Sequence, residues 1–282
     1  MNSKKYFYEY EDYEENNKDS KTMAKEILED SCLDKLDEII IGCWGDCWEN
    51  NSQAIIDSFV DNKDRFKNIK SIYIGDMDYE ECEVSWIEQG DYSKVWDALP
   101  NLEQLTIKGS QGLVLGEMNH KNLKSLEIIC GGIPKEVLND IANSNLPNLE
   151  KLNLYIGVDN YGFDGDMEDI KKVIENDSFK NLKYLGLGDS EEEDKIVKIV
   201  LESKIIQQLE VLDFSNGTLS DKGGQVILDN KDKLLNLKKL DLHYHFLSDE
   251  KMDAISKLPI EVDLDDQQEN DEGYGNYPML TE

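Results

Sequence analysis

"LEKLNL", Leu149 to Leu154, spaces three leucines at i, i+3 and i+5, and its last two leucines flank Asn153. That alternation is the period of a strand with one face buried and the other in the open. A single hexamer would be a weak signal. The same frame returns N-terminally as "LKSLEI" from Leu123, "LEQLTI" from Leu102, "IKSIYI" from Ile69 and "LDEIII" from Leu36. C-terminally it returns as "LKYLGL" from Leu182, "LEVLDF" from Leu209 and "LKKLDL" from Leu237, with a degenerate copy, "PIEVDL", ending at Leu264. Successive starts lie 21 to 33 residues apart. Such a period marks a repeat architecture in which no unit buries its own apolar face and stacking supplies the core.

A loop and then helical spacing follow each strand. "PKEVLNDIA" offers Val137, Leu138 and Ile141, and "EDIKKVI" offers Ile170, Val173 and Ile174. Ser220, Ser248 and Asp166 stand where helix N-caps belong. The expected fold is α/β: a right-handed leucine-rich-repeat solenoid, or horseshoe, with a parallel concave sheet and convex helices. Residues 1–20 read as an acidic arm, irregular or forming a capping strand, and 21–264 as eight to nine repeats. Residues 265–282 read as an acidic tail, partly disordered by composition. "KTMAKEILEDSCLDKL" reads as the helix closing the N-terminal end.

The formal net charge of −31 repels phosphate backbones and anionic lipid, so nucleic acid and membrane surfaces are not expected partners. A protein or peptide, preferably a basic one, suits this field. No apolar run follows the first lysines, no segment has the length of a membrane span, and five cysteines suit reduced thiols. A cytoplasmic location is the expectation. "GCWGDCW", from Gly42, looks like a thiol site. Shifted by 33 residues it overlays "GDMDYEE", so Cys43 falls on Asp76 and Cys47 on Glu80. It is a strand-exit loop of the repeat, and it lacks the four ligands that zinc requires.

With the repeats in register, "GDMDYEECEVSWIEQGDYS" (Gly75 to Ser93), "KGSQGLVLG" (Lys108 to Gly116), "CGGIPKEVL" (Cys130 to Leu138) and "IEVDLDDQQENDEG" can be compared with known proteins. From Leu36 onward they resemble a family of bacterial cytoplasmic leucine-rich-repeat proteins, ribonuclease-inhibitor-like in repeat, without an established activity. The resemblance implies a fold and a setting, and no reaction.

Function on such a solenoid belongs to the exposed residue between the second and third leucines of each repeat. These residues are Ile40, Tyr73, Thr106, Glu127, Asn153, Gly186, Asp213, Asp241 and Asp263. Tyr155, Tyr184 and His243 flank the row. The candidate partner-binding set is Tyr73, Thr106, Asn153, Tyr155, Tyr184, Asp213, Asp241, His243 and Asp263. The set is aromatic and neutral at one end and a negative trough at the other, with Lys239 as a partial counter-charge. Binding without catalysis and without a cofactor is the expected activity. The alternative is a metal-dependent enzyme or enzyme subunit using Asp213, Asp241, Asp263 and His243. Trp86, in its acidic loop, is expected to pack on the next repeat. Asp164 opens what resembles a calcium loop, but the sixth position is Asp169 instead of the glycine that loop needs.

Overall fold

The computed structural model describes residues 2–269 and 275–281. Ten strands form one parallel sheet in strict sequence order. They are β1 (Ser3–Tyr6), β2 (Glu38–Ile41), β3 (Ser71–Ile74), β4 (Gln104–Lys108) and β5 (Ser125–Ile129). The sheet continues with β6 (Lys151–Gly157), β7 (Tyr184–Ser190), β8 (Val211–Asp213), β9 (Lys239–Asp241) and β10 (Glu261–Asp263). The helices are α1 (Tyr10–Glu14), α2 (Ser20–Glu29), α3 (Gln53–Asp61), α4 (Val95–Ala98) and α5 (Lys135–Ala142). They are followed by α6 (Met167–Ile174), α7 (Glu193–Glu202), α8 (Asp221–Asp229) and α9 (Asp249–Ile255). The architecture is an α/β solenoid. None of these helices is long and apolar enough to cross a membrane.

The register follows the hydrophobic frame. Leu105, Leu126, Leu152, Leu185, Leu212 and Leu240 pair in sequence across the sheet, and all six are buried. Each contributes about 1.5–3 kcal/mol by leaving water. Beneath them Val137, Ile170, Ile196 and Ile227, from α5 to α8, join the same continuous core. Ser220, Ser248 and Asp166 each accept a backbone amide of the first turn of α8, α9 and α6.

A second device sits where the strands begin. Asn68, Asn101, Asn122, Asn148 and Asn181 each precede the first apolar residue of their repeat. Each donates its side-chain amide to a carbonyl of the preceding unit at 2.7–2.8 Å. The strand-exit loops are held differently in different repeats. Ser110 Oγ donates to the Gly132 carbonyl. Buried His245 accepts the Leu247 amide at Nδ1 and meets the Leu264 carbonyl at Nε2.

Two features depart from the sequence reading, and the N-terminus takes the capping-strand alternative. The link between β4 and β5 has no helix, because a 21-residue repeat has no room for one. Leu113, Leu115 and Met118 fill the core there instead, and the backbone pairs with the previous unit through Tyr92 N–H to the Val114 carbonyl. Within residues 1–20, β1 pairs with β2 in register, Lys4 opposite Ile39. In the C-terminal tail, whose expected disorder falls partly outside the described residues, segment 275–281 runs back along the strand-exit loops. Tyr244 donates to the Tyr277 carbonyl, Met279 N–H to the Asn216 carbonyl, and Leu280 N–H to Asp189 Oδ1.

Candidate functional site

Parallel pairing aligns the expected row. Tyr73 lies opposite Thr106, Thr106 opposite Glu127, Glu127 opposite Asn153, and Asn153 opposite Gly186. Gly186 leads to Asp213, Asp213 to Asp241, and Asp241 to Asp263. These residues lie on the sheet face opposite the helix-packed leucines. Tyr73, Thr106, Asp241 and Asp263 are half-buried, while Asn153 and Asp213 are buried. Gly186 is required by the fit: a Cβ there would land on Asn153 Oδ1. Tyr155 stands one step further along β6, opposite Gly188.

The polar residues of this face form a connected network. Glu127 accepts from Asn153 Nδ2 at 2.7 Å and pairs with Lys151 at 3.3 Å. The Lys151 ammonium lies 5.0 Å from the centre of the Tyr184 ring. Tyr184 donates its hydroxyl to Asp213. Further on, Lys239 bridges Asp241 at 2.7 Å and Asp263 at 3.1 Å, and His243 Nδ1 meets Asp241 Oδ1 at 2.7 Å. The three stacked aspartates therefore do not face one another uncompensated. Lys239, from the adjoining row, lies between Asp241 and Asp263 and offsets the repulsion that like charges would otherwise impose, while Asp213 is engaged by the Tyr184 hydroxyl.

Titration behaviour follows from this packing. Burial raises the Tyr184 hydroxyl far above its ordinary value, and the Asp213 charge beside it adds to the effect. Burial and the charges of Glu127 and Asp213 push Tyr155 up to about 12. At Asp241 burial works against ionisation, but hydrogen bonds from Lys239 and His243 outweigh it and hold the carboxyl below its usual range. Lys239 is raised chiefly by its hydrogen bond to Asp241.

One trio has donors suited to a divalent ion. Single ligand atoms of Asp241, His243 and Asp263 lie within 4.8 Å of one another. The Lys239 ammonium already bonds to two of the three residues, and Asp213 is engaged with Tyr184. The four-residue metal set does not converge as a unit.

Two features had little or no signal in the sequence. At the strand-exit edge, Asp189 and Glu193 are completely buried. Among the described residues Asp189 Oδ2, Glu193 Oε1 and the nearby Asn216 Oδ1 have no hydrogen-bond partner. Burial pushes Asp189 up to about 8 and raises Glu193 well above the carboxylate range. The other is Trp86, which points into solvent instead of packing on the next repeat, because Val84 and Cys82 take the buried positions of its turn.

No family model matches the chain, and neither does any curated protein. An internalin from Listeria monocytogenes aligns at 14% identity and TM-score 0.26, over 74% of this chain and 70% of its own, which is too distant to carry an argument. A protein from Bacteroides fragilis, crystallised as a structural-genomics target, superposes with TM-score 0.91 at 44% identity. The alignment covers 99% of this chain and 77% of that one. The chain belongs to the same family as this Bacteroides protein.

Proposed function

We propose that the chain is a protein-binding repeat module that holds a partner protein or peptide along the helix-free face of its sheet, with no reaction catalysed there. One observation supports this above the others. Tyr73, Thr106, Glu127, Asn153, Asp213, Asp241 and Asp263 stand in a single register across successive strands. At about 4.8 Å per strand, the row from β2 to β10 offers roughly 40 Å of continuous surface. That is a length suited to an extended partner. Tyrosine, which is favoured at interfaces, lines one half. Carboxylates line the other, where a partner's Arg or Lys would compete with Lys239 for Asp241 and Asp263.

The repeat frame and the five free cysteines support reading the chain more finely, as a ribonuclease-inhibitor-like leucine-rich-repeat protein of a bacterial cytoplasm. A photo-crosslinking residue in place of Tyr155, in extract from the source organism, tests the face. The expected result is a discrete adduct that disappears when Asp213 and Asp241 are both changed to Lys. An adduct that survives both those changes and Tyr73→Ala would count against this surface.

A further inference from the structure

A second surface lies away from this face, in the connections that leave β2 and β3. The loops are tied together, with Glu88 N–H donating to the Cys47 carbonyl at 2.9 Å and Ser52 N–H to the Glu88 carbonyl at 3.2 Å. Trp44, fully buried, fixes the first loop by donating Nε1–H to the Asn50 carbonyl at 2.7 Å. Buried Cys43, Cys47 and Cys82 pack beneath them in the core. On this rigid base three aromatic side chains point outward: Trp48 is 39% exposed, Trp86 58% and Tyr79 75%. Together with Glu81, Cys82 and Glu83 they line an open cleft of about 370 Å³. Large exposed aromatics gathered at one place, in a chain that buries Trp44 and Trp96, mark an interaction surface.

The chemistry of the cleft selects its occupant. Indole and phenol faces attract cations. Glu81, whose Oε2 accepts the Asp78 amide at 2.9 Å, is held at the cleft. Among the described residues neither Glu81 nor Glu83 forms an ion pair. Nearby Lys108 directs its ammonium to the Met77 carbonyl at 2.5 Å. An apolar segment would cover two carboxylates that have no direct ion-pair partner, whereas a guanidinium or ammonium would satisfy the rings and the carboxylates together. We propose that the Trp48–Tyr79–Trp86 cleft binds an arginine or lysine side chain of a basic partner protein. Because its backbone is tied down in advance, little ordering entropy opposes binding.

The test titrates the full chain with a capped octapeptide of alternating glycine and arginine at about 0.15 M salt, beside a citrulline version that keeps shape and loses charge. Calorimetry gives the affinity. Tryptophan emission reports the cleft, since Trp44 and Trp96 are buried. The arginine peptide should bind and shift the emission, and the citrulline peptide should not. The double variant W48A/W86A should melt like the parent and bind at least about tenfold more weakly, the loss of two exposed cation–π contacts. E81Q/E83Q should weaken binding and flatten its salt dependence. The proposal is overturned if the arginine peptide does not bind, if the citrulline peptide binds equally well, or if W48A/W86A binds as tightly as the parent. Loss of binding in D213N/D241N with W48A/W86A unaffected would place the peptide on the sheet face instead, so the two readings can fail separately.

Discussion

The backbone amide of Leu280 donates at 2.8 Å to the carboxyl of Asp189, a residue 91 positions earlier in the chain. This contact holds segment 275–281 against the strand-exit loops and closes water off from Asp189. Burial raises that carboxyl to about 8, and Glu193 is raised by the same cause. In the unfolded chain both ionise near pH 4. The folded state therefore holds protons that the unfolded state has lost, and its advantage is complete below about pH 4. The advantage falls as pH rises from there through about 8. Thermal melts should show highest stability in mild acid and a decline toward pH 9. Asp189→Asn keeps an acceptor for Leu280 and tolerates the left-handed backbone at this position (φ 56°). It should flatten the decline and exceed the parent in stability above pH 8. An unchanged slope would mean that Asp189 is solvated and ionised.

Lys239 has the opposite role on the open face. Its ammonium joins Asp241 and Asp263 across two strands. Lys239→Ala leaves stacked carboxylates with no intervening cation, and about 1 kcal/mol of stability should be lost. Added salt should recover part of the loss. The variant should also gain stability from millimolar zinc or magnesium, because Asp241, His243 and Asp263 would then be free to converge on an ion. Denaturant melts with and without each ion check both points. A variant as stable as the parent at low salt would show that solvent, and not Lys239, screens the row.

The solenoid has two kinds of repeated contact, and they differ in weight. Leu154 is fully buried between strand and helix, so Leu154→Ala should cost about 2–5 kcal/mol through lost burial and a residual cavity. Asn148 donates to the Lys121 carbonyl at an exposed site, so Asn148→Ala should cost about 0.5–1 kcal/mol. Urea melts rank the two. An asparagine variant as damaging as the leucine variant would make the entry ladder, and not the apolar core, the main fastening between repeats.

The strand frame was legible because each strand repeats one local rule, apolar residues at i, i+3 and i+5, and the stacking follows once every unit shares it. The row from Tyr73 to Asp263 was legible for the same reason: parallel register carries equivalent positions into line. What lay outside that rule was harder to read. A helix was expected in every unit, but the step from Leu102 to Leu123 is too short to hold one. The counter-charge of Lys239 on the aspartate trough was legible, but the Tyr184 hydroxyl that engages Asp213 from the neighbouring strand was not. Tyr277-Pro278-Met279-Leu280 is an apolar island in an acidic tail, and composition averaged over the tail conceals it. Trp86 sits in a turn where Val84 and Cys82 already supply the inward side chains, and no periodicity of the strand-loop-helix unit reaches that far.

The cysteine pair of the first exit loop leads to the last prediction. Cys43 Sγ and Cys47 Sγ lie 3.4 Å apart, both buried, and all five cysteines are free thiols. The hydrogen bond with Cys43 and burial raise the Cys47 thiol, so it is held protonated, while the same hydrogen bond lowers Cys43, which is shielded from disulfide reagents by its burial alone. Cys82 is pushed up to about 12 and Cys130 likewise, burial being the main cause in each. Cys32 alone is exposed. A colorimetric thiol titration of the native chain at pH 8 should therefore release one equivalent at once. The remaining four should appear only on unfolding, with the kinetics of the global transition. Three fast equivalents would mean that the floor beneath Trp48 opens on its own, in which case the cleft could not be the preformed surface its geometry describes.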